Sequence, residues 1–181
     1  MPRIVKIETS TVVPTDVCRV WEALLDHSRW IGHLAEGSAA RFDDVEPLDE
    51  TFERVGDRRR CSAVIDQLPL VGRRRFSWEE QVTDVDHLRT LEVESLPSRD
   101  PIRRWRLRFW LVPQPDATTR VRCHVSYRPA SFVARLADSL FLRKRITLAA
   151  ESWVANLAGS FAPAELAERP TPDLSEALVA A

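Results

Sequence analysis

Between residues 41 and 128 the apolar residues recur at every second position, and after Pro129 they recur at every third and fourth. A chain whose period changes once in this way builds a run of strands first and then lays a helix over them. Six alternating segments are legible, at 42–47, 58–68, 74–85, 89–96, 102–112 and 119–128. Turn chemistry separates them: Gly56-Asp57, Pro69 to Gly72, Asp84 to His87, Pro97 to Pro101 and Pro113 to Asp116. Connections this short join antiparallel neighbours. In 103–111 the pattern is clearest, since Trp105, Leu107, Phe109 and Leu111 alternate with Arg104, Arg106 and Arg108. One face of that strand is dry and the other wet.

Residues 4–13 form one more strand, rich in β-branched side chains, with Val5, Ile7 and Thr9 on one face. Pro14 stops it, and Thr15 or Asp16 caps a one-sided helix carrying Val17, Val20, Trp21, Leu24 and Leu25. A second brief helix is expected over 27–34, ended by the small residues of 36–40. From Phe132 to Ala158 the helical period continues for roughly thirty residues, a helix ~45 Å long at the usual rise. The expected domain is therefore 1–161, with 162–181, rich in proline and weak in pattern, as a flexible tail.

Charge excludes several partner classes. The chain has 26 basic and 27 acidic side chains, and all the basic ones but Lys6 and Lys144 are arginine. A net charge of −1 gives no general attraction to nucleic acid or anionic membrane, and the arginine runs at 58–60, 73–75, 103–104 and 143–145 adjoin acidic residues. They read as a solvated face. Cys18, Cys61 and Cys123 are too few and too scattered for a disulfide framework or a zinc site, which fits a reducing cytoplasm. The four histidines lack metal-binding spacing, and no glycine-rich phosphate cradle is present, so neither metal nor cofactor is expected. No signal peptide or membrane-inserting run is read, and oligomeric state is left open.

The order strand, helical elbow, six-strand meander and long C-terminal helix resembles the helix-grip fold of the SRPBCC, START-like superfamily. The segment P-T-D-V-C-R-V-W-E-A-L-L-D-H-S-R-W is similar to its entry motif P-A-x-x-V-W-x-x-L-x-D-x-x-x-W. The pieces V-G-D-R-R-R, F-S-W-E-E-Q-V-T-D-V-D, L-R-T-L-E-V and T-T-R-V-R-C-H-V-S-Y-R-P are similar to its mid-sheet and final-strand patterns. The likeness runs from Ile4 to Phe161 and is greatest to the bacterial polyketide cyclase/dehydrase-like branch. Its usual glycine-rich turn is reduced here to Gly56. The resemblance implies an α+β domain in which a curved, seven-stranded antiparallel sheet wraps the last helix and encloses a hydrophobic cavity. It also implies a hydrophobic small-molecule ligand, without specifying a reaction.

Strand parity selects the candidate residues. Glu80 shares a face with Phe76, Trp78 and Val82, so its carboxylate points inward. It is read as a general acid or base, against an ion pair with Arg58 or Arg60 or a register that leaves it in solvent. Tyr127 shares a face with Val121, Cys123 and Val125; its hydroxyl either donates to an enolate or carbonyl oxygen of the ligand or meets a backbone group. Cys123 has no histidine on its face and reads as a buried thiol lining the interior. The resemblance places Trp30, Trp78 and Trp105 on the cavity wall and His33 at its rim, and Phe109 lies on the same dry face as Trp105. Expected function is binding of a polycyclic or polyketide-like molecule, with cofactor-independent cyclisation or dehydration by Glu80 and Tyr127. A non-catalytic carrier or sequestering self-resistance protein is the alternative, and a regulatory protein with a filled interior is a third reading.

Overall fold

The expected change of period is visible in the backbone. The structure, a computed structural model, describes residues 4–26, 40–68, 72–97, 102–129 and 131–161. Its strands are β1 (Val5–Val13), β2 (Ala40–Pro47), β3 (Arg58–Leu68), β4 (Gly72–Asp86), β5 (Thr90–Ser95), β6 (Ile102–Pro113) and β7 (Thr119–Pro129). They form one antiparallel sheet in the order β1-β7-β6-β5-β4-β3-β2. From β2 onward each strand pairs with its chain neighbour. β1 returns to lie beside β7, Val5 opposite Tyr127 and Val13 opposite Thr119. The register shifts at Phe42/Asp44, Ile65/Leu68, Val82/Asp84 and Ile102/Arg104. Each shift bends and twists its strand, which curves the sheet.

Between β1 and β2 stands α1 (Val17–Leu25), and of the two expected caps it is Asp16 that serves. Its carboxylate accepts the backbone N–H groups of Cys18 and Arg19 at 2.9 and 3.1 Å. The buried side of α1 is Val20, Trp21, Ala23 and Leu24. The expected helix at 27–34 and tail at 162–181 lie outside the described residues. Gly56 has φ +101°, a conformation that favours glycine, in the turn that leads into β3. The same loop buries Phe52 and is tied by Asp57, which accepts from the Thr51 hydroxyl at 2.6 Å and from the Arg54 N–H at 2.9 Å.

The C-terminal helix differs from expectation in one respect. It runs as α2 (Phe132–Ala137), a π-helical segment (Asp138–Leu142) and α3 (Arg143–Gly159), rather than at one pitch throughout. Ala134, Asp138, Ala150, Trp153, Val154 and Leu157 are buried, whereas Leu136, Leu140 and Leu148, expected on the apolar stripe, are exposed. The wider π turn shifts the phase of the helix, so an extrapolated 3.6-residue period selects the wrong face. α3 lies across β1 and β7 and closes the core against Val5, Ile7, Val121 and Val125.

On the outer face of the sheet the arginines of β6 lie over the carboxylates of β4 and β5. Arg104 meets Glu94 at 2.5 Å, Arg106 meets Glu92 at 3.4 Å and Glu94 at 3.3 Å, and Arg108 meets Asp84 at 2.5 Å and Glu92 at 3.2 Å. Arg58, Arg60 and Arg104 are likewise paired among exposed groups, as their acidic neighbours suggest, whereas Arg59, expected on the same solvated face, is buried. Among the described residues no helix is long and apolar enough to cross a membrane.

Candidate functional site

Antiparallel register brings the inward polar residues to one region of the concave face. Tyr127 on β7 lies opposite Trp105 on β6; Glu80 on β4 lies opposite Ser95 on β5 and Arg59 on β3. Ser95 stitches β5 to β6 here by accepting the Trp105 N–H at 2.9 Å. Trp78, one inward step from Glu80, stands edge-on to Trp105 with ring centroids 6.0 Å apart at 77°. The inward neighbours Val82, Leu107, Phe109 and Cys123 are buried, yet both tryptophans are only half-buried. An aromatic pair is thus one part of the inner face that remains partly exposed.

One polar group stands on the β3 side of that pair. Glu80 and Arg59 are both 0% exposed and form an ion pair in which Nε of Arg59 donates to Oε1. Oε2 of Glu80 accepts from the indole N–H of Trp78 at 3.2 Å. The guanidinium rests 4.2 Å from the Phe52 ring centroid, so its planar face is covered by an aromatic one. The partner is Arg59, and not Arg58 or Arg60 as sequence reading expected. Arg59 has the parity of Cys61 and Ala63, whereas Arg58 pairs with Asp49 at 3.5 Å and Arg60 with Glu46 and Glu79 at 3.1 and 3.0 Å among exposed groups. Burial first, and the Glu80 charge after it, push the Cys61 thiol well above its ordinary ionisation range. It is no nucleophile in this setting.

A second polar group stands on the β7 side. The hydroxyl of Tyr127 donates to Oδ1 of Asp138, and Oδ2 of the same carboxylate accepts from Arg143 at 3.0 Å. Tyr127 and Asp138 are each 2% exposed. The expected inward ring is present, but its proton goes to a side-chain carboxylate rather than to a backbone group. Burial, then the bond to Asp138, raise the ionisation of Tyr127 above its ordinary value.

Phe109 lies fully buried with its centroid 4.6 Å from that of Trp153, joining sheet to α3. Cys123 is buried beside it in register, and burial pushes its thiol up. Trp30 and His33 lie outside the described residues. Asp138 is not read from the sequence, and Arg59 and Arg143 are read there only as members of solvated arginine runs. Arg59 carried a usable signal, its alternation with Cys61 and Ala63; Asp138 carried none, because the π turn that places it inside has no signature in the apolar spacing. Among the described residues no group of histidine, cysteine, aspartate and glutamate could hold a metal ion.

No protein-family model matches the chain, and no curated protein matches it by sequence. Solved structures match over nearly its whole length. TTHA0849 from Thermus thermophilus has a TM-score of 0.62 at 18% identity, covering 92% of this chain and 100% of its own. The ZhuI aromatase/cyclase from Streptomyces sp. R1128 has a TM-score of 0.63 at 13% identity, covering 87% and 93%. Norcoclaurine synthase from Thalictrum flavum, in complex with dopamine and hydroxybenzaldehyde, has a TM-score of 0.58 at 12% identity, covering 94% and 91%. At these identities the likeness is one of fold: the chain has the α+β helix-grip architecture that these structures share.

Proposed function

We propose that this protein binds a flat, hydrophobic small molecule on the Trp78–Trp105 face, between the Glu80 and Tyr127 ends of the concave sheet. The observation that carries this is the half-burial of two large inward aromatics beside the buried Glu80, Val82, Leu107 and Tyr127. Tryptophan faces offer a planar ligand large apolar area, and a few fixed polar groups at the margins supply orientation. The named activity of the aromatase/cyclase and the aromatic ligands of the synthase, both on this fold, are consistent with such a ligand. Phe109 and Cys123 would form the floor beneath it.

A catalytic version of the same site is favoured by one feature, a carboxylate at 0% exposure next to the aromatic pair. In it Glu80 moves a proton during cyclisation or dehydration of a polyketide-like molecule, Tyr127 orients the ligand, and no cofactor takes part. The carrier or sequestering reading uses the same contacts without turnover. Titration of the purified chain with aromatic polyketides and fatty acids, read by native mass spectrometry and tryptophan fluorescence, tests binding. A retained aromatic ligand whose quenching falls in Trp78→Leu and Trp105→Leu is the expected result; no retained ligand across the panel overturns it. Product loss with binding kept in Glu80→Gln separates the cyclase from the carrier.

A further inference from the structure

Tyr127 is the single tyrosine of the chain, and its one hydroxyl proton is committed. That proton goes to Oδ1 of Asp138, which reaches the interior where the C-terminal helix changes to π pitch. π turns inside α-helices recur at functional positions. The other oxygen of Asp138 holds Arg143, which balances its charge. Solvent barely reaches the pair, so water does not compete for the bond. A phenol hydroxyl has one proton to donate and an oxygen that can accept. With the proton held by a carboxylate, a charge-assisted bond of the stronger kind, what remains to offer a ligand is oxygen.

We infer that Tyr127 meets the bound ligand as a hydrogen-bond acceptor, that Asp138 is the positioning residue enforcing this, and that the site selects aromatic molecules bearing a hydroxyl donor over the corresponding ethers or ketones. The inference rests on the binding reading above and makes its ligand class specific. It assigns to Tyr127 the opposite polarity from a donor to an enolate or carbonyl. The raised ionisation of Tyr127 agrees, since a phenol that stays protonated beside a carboxylate keeps donating to it.

The experiment compares naphthalene, 2-naphthol and 2-methoxynaphthalene as ligands of the full chain by fluorescence titration. Wild type is expected to bind 2-naphthol about five- to tenfold more tightly than the ether, the usual worth of one hydrogen bond. Tyr127→Phe should abolish that difference, and Asp138→Ala, by freeing the phenol proton, should turn the preference towards the ether. Equal affinities in wild type, or a difference that survives in Tyr127→Phe, overturn the inference and leave hydrophobic binding intact. Failure of all three compounds to bind overturns the binding reading itself. Should Asp138→Ala not fold, wild type against Tyr127→Phe still decides the acceptor role. For a folded Asp138→Ala, near-ultraviolet titration of the one tyrosine must show ionisation at lower pH than wild type; an unchanged titration removes Asp138 from its positioning role.

Discussion

The two faces of this sheet carry the same chemical pair, arginine against glutamate, in opposite surroundings. On the concave side Arg59 and Glu80 are fully buried, and Nε and Nη2 of Arg59 both meet Oε1 of Glu80. On the convex side Arg104 and Arg106 keep 60% and 50% of their side chains exposed while covering Glu94 and Glu92. A buried pair has lost its hydration, so either partner left alone is an uncompensated charge. A surface pair loses little when broken, because water and salt take over its role. Equal chemistry therefore does different work: inside, it fixes one geometry beside the tryptophans; outside, it keeps a strand pair soluble and in register.

Substitutions can break that contrast, beginning with the largest effect. Glu80→Gln should cost about 3–5 kcal/mol in denaturant unfolding, because it strands the Arg59 guanidinium. A loss under about 1 kcal/mol would place the pair in contact with water and erase the difference between the faces. Glu92→Gln should cost about 1 kcal/mol, since Glu92 serves Arg106, Arg108 and the Thr83 hydroxyl at 3.0 Å from a nearly buried position. Arg104→Ala should cost less than about 0.5 kcal/mol, and the loss should vanish in molar salt. The double change Arg59→Met with Glu80→Leu should stay within about 1 kcal/mol of wild type, since it removes both buried charges together; a loss as large as that of Glu80→Gln would show that geometry, and not charge balance, sets the cost.

Alkaline pH sharpens the comparison at the second polar group. The unfolded chain ionises tyrosine near its ordinary value of 10.0, while folding raises the ionisation of Tyr127. The folded state therefore holds a proton that the unfolded state releases. The stability this contributes is fully present below pH 10.0 and is lost as pH rises towards the folded value. Unfolding titrations of wild type and Tyr127→Phe should converge with rising pH above that point; parallel curves would remove the linkage.

Strand order and boundaries were legible because alternation is local: segments 58–68 and 119–128 reappear as β3 and β7 nearly unchanged. The inward direction of Glu80 and Tyr127 was legible for the same reason. Partners were less so. Register decides that Arg59 rather than Arg60 faces Glu80, and register depends on the bulges and turns of several strands at once. Asp138 was hidden more deeply, since counting in threes and fours from Phe132 leads to Leu136 and Leu140, which face solvent. Apolar residues on both sides of a helix leave its phase undetermined until the change in pitch is known.

That change in pitch amounts to one residue more than an α-helix of the same span would need. Deleting an exposed residue of the segment, Ser139 for example, would let the helix close at ordinary pitch with both halves keeping their facing, because the wide turn absorbs the rotation of about 100° that one extra residue brings. Trp153, Val154 and Leu157 would stay in the core, and Asp138 would still face Tyr127. Winding the same residues at ordinary pitch without a deletion would instead turn one half against the other and swing Asp138 away. At this point in the chain, length and pitch compensate each other: the wide turn is what lets a chain one residue longer keep the same side chains inside.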